Sequence, residues 1–534
     1  MKKKGLLVVF FFGGIMLTSG FGLSSMIAPA EDNSDVMLTG TPSDNFPEDQ
    51  RTTFCSSGGD PKSTKYVQEY LIPTECSNPL AIVSDYDGNV WFAETNTGNI
   101  AKFDPTTEIF TEYDNPTWPD GGRSMMWGID YAPDGSVWFT DETYDSIWKF
   151  STIDETYERL SYPSDGNSLP QKLSIEGSQI IVNDFLGNKL TIFDVNSDDS
   201  QASAVSIPSS VDGAFTGQFT LDTNDHIWYT NWMINEGGIL INYNHEDYRN
   251  DVLNSGEQFL PMKDYVITYT LPPQLIIPNG IAFSDDDTLW ISDSGTSSFF
   301  SFESSTGQFI QYVTADPIFE TYGNQTGIIK NPISRPYSME SDDQGRIIFN
   351  EQTGNNISVM DPRIQSLVEY HIPSKNPNWA DCNSGTKVME NCGVAQILDF
   401  TISGEKIWFT EWVENKIGVV DTSIPLPLEI QLEQNTLNLV PGESQEFQYT
   451  ISVGSQNDNL DLFLVASGTH DFLTVNVLDN FADLVAIIDD PAETIVIPTM
   501  ISASDDALPG TYKILLGAES SDVTISKFLT VIIE

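Results

Sequence analysis

Six acids and one amide close the same short phrase along this chain. Val90-Trp91-Phe92-Ala93-Glu94 and Val137-Trp138-Phe139-Thr140-Asp141 are two copies, and the others end in Asp184, Asn231, Asp293, Glu351 and Glu411. Oxygens gathered from several such positions suit a hard divalent ion, Mg²⁺ or Ca²⁺. A carboxyl whose neighbours raise its pKa can also serve as a base, which makes Glu94, Glu351 and Glu411 the catalytic candidates. The competing reading is local: each carboxylate accepts hydrogen bonds from backbone N–H groups of its own turn. Histidine chemistry has little material, because His226, His245, His371 and His470 stand in unrelated settings. The four cysteines form no C-x-x-C pair, and two local disulfides, Cys55–Cys76 and Cys382–Cys392, are expected in place of a metal or redox site.

These residues need elements to carry them, and the phrase itself supplies the frame. It occurs seven times, with 47, 43, 47, 62, 58 and 60 residues between the second positions of successive copies. A short apolar strand and a tight turn such as Asp87-Gly88 or Asp134-Gly135 precede it. A polar turn, a third strand and a fourth strand ending in proline follow, as in Leu367 to Pro373. Four strands repeated seven times predict an all-β fold, a seven-bladed β-propeller over residues 64–424. The continuous Val-Trp-Phe runs fit strands covered on both faces, with each tryptophan packed between blades. The seventh repeat lacks a fourth strand after Asp421, and Tyr66 to Pro73 has the pattern to complete it. Such a pairing would close the ring and remove its edges.

Outside the repeats the chain changes texture. Residues 1–30 hold Lys2-Lys3-Lys4, an apolar run and Ala28-Pro29-Ala30, which read as a secretory signal. The run is also long enough to remain as a membrane anchor. Residues 31–63 read as a flexible tether, and 425–534 as an immunoglobulin-like β-sandwich in a spacer or adhesion role. The net charge of −53, from 77 acids and 24 bases, disfavours nucleic acid and anionic lipid heads as partners, so contact with a membrane is expected only through the N-terminal segment. Export to the cell surface or beyond is the expected location.

The phrases Gly135 to Asp141, Asn415 to Asp421 and Glu369 to Pro373 resemble the virginiamycin B lyase (streptogramin lyase) family over about residues 65–424. The resemblance implies a seven-bladed propeller that opens a cyclic depsipeptide by elimination with Mg²⁺, at one mouth of its channel. It also implies a histidine base fourteen residues before a glutamate that ends a second strand. At that distance stand Leu80, Trp127, Gly217, Asn279 and Tyr337, with Gln171 or Lys172 and Val394 or Gln396 in the shifted third and seventh repeats. None is histidine, so the elimination chemistry does not carry over. The reading that follows is a binding propeller. Its mouth would be formed by Trp127, Asn279, Tyr337, Gln396 and the insertion residue Trp379, with the six acids Glu94, Asp141, Asp184, Asp293, Glu351 and Glu411 as metal ligands. A cationic, sugar or peptide ligand or a divalent ion would suit it. A metal-dependent lyase or an ester or lactone hydrolase using carboxylates is the alternative, and a structural envelope protein a third reading.

Overall fold

A computed structural model describes residues 55–534 except 57, 120, 165, 167, 195–202, 209–212, 234–235, 258–259, 318–320, 322–332, 378–381, 383–391, 455–461 and 479–493. The expected signal segment, and the tether up to 54, lie outside the described residues. From Cys55 onward the expected tether is already part of the fold. The Gly58 N–H donates to Glu414, the Lys62 N–H donates to Glu69, and Cys55–Cys76 and Cys382–Cys392 are both bonded.

The chain is a β-propeller. Among the described residues four-stranded antiparallel units follow one another, six as separate sheets and one within a larger sheet, the first being Pro79–Ser84, Val90–Glu94, Asn99–Asp104 and Ile109–Tyr113. Local chemistry sets the first hairpin. Asp85 accepts from the N–H groups of Asp87 and Asn89, and Gly88 takes a φ of 83° that a side chain would resist. The second strand is buried throughout, since a neighbouring sheet covers each face. Trp91, Trp228 and Trp290 pack between sheets while their indole N–H groups bond Asp85, Asp222 and Ser284 at the hairpins. A tryptophan so placed buries its ring without orphaning its donor.

The residue before each phrase-ending acid holds the ring together. Thr410 donates to the Leu80 carbonyl of the next sheet at 2.6 Å, Thr230 to Pro278 at 2.8 Å, Asn350 to Ile397 at 2.8 Å and Asn183 to Thr216 at 3.1 Å. Thr140 and Ser292 do the same toward Gln171 and Tyr337, and only Ala93 has no polar atom to offer. Each bond satisfies a carbonyl on an innermost strand, where no further strand can pair. Closure follows the expected route. Val67–Leu71 pairs antiparallel with Lys416–Val420 and becomes the outermost strand of the last unit.

The C-terminal unit has two sheets. One holds Leu428–Leu432, Ser444–Val453, Thr494–Ala503 and Leu473–Val477, and the other Phe463–Gly468, Gly510–Glu519 and Val523–Ile533, with Thr436–Leu439 parallel to the last. It is not a loosely hung module. Val523–Ile533 also pairs with Ser366–His371, the outer strand of the sixth unit, so one sheet of eight strands crosses from propeller to C-terminal unit. Tyr370 and Ile372 share a core with Ile525, Leu529 and Phe447. His371 lies in this junction, its Nε2 2.9 Å from the Thr524 hydroxyl, and burial pushes it down to about 4, which leaves it neutral. Among the described residues no helix is long and apolar enough to cross a membrane.

Candidate functional site on the channel axis

The six phrase-ending acids are fully buried and turn into their own units. Asp293 accepts from the N–H groups of Ile276, Ile277 and Gly295, Asp184 from Leu169 and Gly187, and Asp141 from the Trp148 indole and Tyr144. Asn231 bonds Thr216 and the Phe215 carbonyl in the same way. These partners are the local ones that a capping role requires. Among the described residues, no three carboxylate, imidazole or thiol groups lie close enough to share one ion.

The three glutamates follow a different rule from the three aspartates. Glu94, Glu351 and Glu411 reach across the third strand of their sheets to Glu112, Glu369 and Glu69 on the fourth. The third strand carries Ala101, Ser358 and Gly418 at the point crossed, each the Cα partner of the fourth-strand glutamate. In the other units that register holds Trp148, Thr191, Ile241 and Phe300, and the second strand ends in the shorter Asp or Asn. A small residue opens the gap and glutamate fills it. The fourth-strand partner also accepts the N–H of the residue entering from the preceding unit: Thr74 to Glu112 at 3.1 Å, Ala315 to Glu369 at 2.9 Å and Ser374 to Glu69 at 2.8 Å. Two buried carboxyls in contact must share a proton. Burial followed by the Glu112 charge pushes Glu94 up to about 8, burial pushes Glu351 up to about 7, and Glu369 and Glu411 rise well above the usual range. In the last unit Lys416 joins the group, its Nζ 3.6 Å from Glu69 and 3.4 Å from Glu414.

What faces the axis is a set of innermost-strand residues displaced by a bulge. The register skips between Pro79 and Ile82, Pro170 and Leu173, Thr216 and Phe219, Pro278 and Ile281, Pro336 and Met339, and Ile397 and Phe400. A repeated bulge re-aims side chains at the rim of a closed sheet. It brings together three expected residues: Trp127 and Tyr337 have ring centroids 6.4 Å apart, and Asn279 lies beside the Tyr337 hydroxyl. Gln171 donates to that hydroxyl at 3.4 Å, and the Trp127 indole donates to Glu142 at 3.0 Å. Burial pushes Glu142 up to about 7. With Leu80, Met126 and Leu398 these residues form a packed floor across the channel. The Gln171 carbonyl oxygen has no hydrogen-bond partner, although the residue is 2% exposed.

Gln396 does not join that floor. It precedes the bulge of the seventh unit with a φ of 58°, and Leu398-Asp399 hold the axial positions. The cause is the hairpin: Ser403 pairs directly with Lys406 around Gly404, whereas Ser84 pairs with Val90 across a longer turn. The shorter turn moves the axial position two residues beyond Gln396. Val394 belongs to the buried segment before the strand, and Trp379 lies outside the described residues.

A charged layer lies next along the axis, toward the first hairpins and away from the phrase-ending acids. It consists of Asp130, Lys172, Glu340 and Asp399 from four units. Lys172 Nζ stands 4.0 Å from Glu340, whose side chain is 40% exposed although protein surrounds it. The Asp130 and Asp399 carboxylates accept the Ile175 and Ile82 N–H groups on the open edges of the following units. Burial pushes all three acids up, Asp399 furthest. Sequence reasoning passed over Asp130, Glu340 and Asp399. The available signal was an acid inside an otherwise apolar innermost strand, as in Leu398-Asp399-Phe400. No histidine is on the axis: His226 pairs with Asp222 at 3.5 Å, His245 with Tyr243 at 3.0 Å, and His371 and His470 belong to the C-terminal unit and its junction.

Fold and axis together define a β-propeller with a closed aromatic–amide floor and a charged layer beneath it. No protein-family model matches the chain, and no curated protein matches it in sequence. Solved structures similar to it include a streptogramin B lyase, at 20% identity over 66% of this chain and 96% of that one, with a TM-score of 0.48. A virginiamycin B lyase from Staphylococcus aureus matches at 19% identity over 66% of this chain and 98% of that one, TM-score 0.49. YCF48 bound to a D1 peptide matches at 6% identity over 67% and 96%, TM-score 0.41.

Proposed function

We propose that this chain is an exported, seven-bladed propeller with an immunoglobulin-like C-terminal domain, and that it binds a ligand on the channel axis without transforming it. The observation that carries the reading is the buried floor at Asn279, Gln171 and Tyr337. The Gln171 carbonyl oxygen, buried and without a hydrogen-bond partner, costs free energy, about 1 to 3 kcal/mol, unless something completes its bonds. A bound molecule can complete them and gain orientation in return. Export is supported by the two disulfides and the N-terminal pattern. No histidine stands at the axial positions, so the histidine base that the resembled family's elimination uses has no counterpart there.

Tryptophan fluorescence titration tests this directly, with Trp127 as the reporter beside the floor. The ligand panel is Ca²⁺, Mg²⁺, Cu²⁺, neutral oligosaccharides, a linear diamine and a basic peptide. Saturable binding by one class, lost in Asn279→Leu, supports the reading. If no class binds saturably, the protein is a structural envelope component.

A further inference from the structure

The charged layer beneath the floor contains more acid than its one base can match. Asp130, Glu340 and Asp399 face a single ammonium, that of Lys172, which stands nearest Glu340. Each carboxylate has lone pairs beyond those given to the Ile175 and Ile82 N–H groups. Next to the layer, the carbonyl oxygen of the 2%-exposed Gln171, the residue before Lys172, has no hydrogen-bond partner. Its outer side is also suited to cations. Tyr131, next to Asp130, stacks edge-on with Tyr86 at 5.6 Å, and Asp85 and Asp87 act on it from the same hairpin. Every other first hairpin carries at least one acid too, while Lys149 and Arg346 are already engaged by Asp134 and Asp342.

We propose that this chamber is a site for the ammonium end of an organic cation, entered from the first-hairpin side and bounded by the amide floor. The proposal rests on the reading of the axis as the binding site and names the ligand class. Lys172 shows the geometry on a small scale, since an ammonium already sits beside Glu340. A second ammonium would stand between Asp130 and Asp399, with its aliphatic arm directed out toward the first hairpins. Hairpin acids around the entrance concentrate cations there before they bind.

Isothermal titration with 1,5-diaminopentane at about 0.15 M salt, where long-range surface attraction is screened, is the test. The expected result is saturable binding of one diamine per chain. Glu340→Gln should weaken it about tenfold, and Lys172→Met should tighten it several-fold by removing the resident ammonium. Absence of saturable diamine binding in both the native chain and Lys172→Met overturns the proposal. So does binding that Glu340→Gln leaves unchanged, because that is the behaviour of the acidic surface at large. If diamine fails while another class still binds in an Asn279-dependent way, the axial binding function stands and the cation assignment falls.

Discussion

Raising the pH should loosen this fold through three glutamate pairs, each with at least one buried member, and the first unit gives the size of the effect. Glu94 is fully buried and held up to about 8 against an ordinary 4.5. At ~1.36 kcal/mol per pH unit, the whole shift is worth on the order of 5 kcal/mol, with burial its largest cause and the Glu112 charge the second. Glu351, held up to about 7, contributes on the order of 3 kcal/mol by the same arithmetic. The sign is that of a raised acid. The folded chain keeps protons that the unfolded chain has already released, so the contribution is complete below 4.5 and lost as pH climbs past about 8. Glu112→Gln isolates one pair. Glutamine donates to Glu94 without a shared proton, and its carbonyl oxygen can still accept the Thr74 N–H. Thermal unfolding should show the variant close to the native chain at about pH 5 and several degrees more stable at about pH 9. An exposed control of equal charge change, Glu446→Gln, should gain far less. Equal gains in both variants would refute the pairing and assign the effect to general repulsion among 77 acids.

Other consequences are simpler to read. Thr230→Val removes the latch to the Pro278 carbonyl and should cost about 1 to 2 kcal/mol in denaturant unfolding, since that carbonyl is left buried. Ending the chain at residue 424 uncovers the Ser366–His371 edge that Val523–Ile533 now pairs, and size-exclusion chromatography should show the truncated protein self-associating. Burial raises Asp130, Glu340 and Asp399, so a cation entering their chamber must displace protons, and diamine affinity should rise as pH climbs above the ordinary carboxylate range. A flat or falling profile would mean that these acids are not the ones in contact.

The ring was legible in the sequence because each unit repeats one hydrogen-bonding solution. The tryptophan, the penultimate Thr or Asn and the Asp-Gly hairpin recur for reasons that are local or lie one sheet away. The closing strand was legible for the same reason, since Glu69-Tyr70 in Val67–Leu71 repeats Glu112-Tyr113 and Glu369-Tyr370. Side-chain direction was harder to read. Whether a phrase-ending acid faces a ligand or its own sheet depends on the residue two strands over, and its pairing with Ala101, Ser358 or Gly418 shows only once the register is known. Gln396 was misplaced because one hairpin is shorter than the rest, so equal spacing gave the wrong residue. The join between Ser366–His371 and Val523–Ile533 leaves no mark in spacing, because strand edges so far apart in the chain pair without any turn between them.

The central claim is that the axis, bounded by Asn279 above and Glu340 below, is where this protein binds. A crystal structure grown with 1,5-diaminopentane tests it most directly. Density for one diamine is expected inside the channel, with an ammonium within hydrogen-bond reach of Asp130, Glu340 or Asp399, about 2.7 to 3.2 Å. Ordered diamine found only on the outer acidic surface, with the channel holding none, would contradict it.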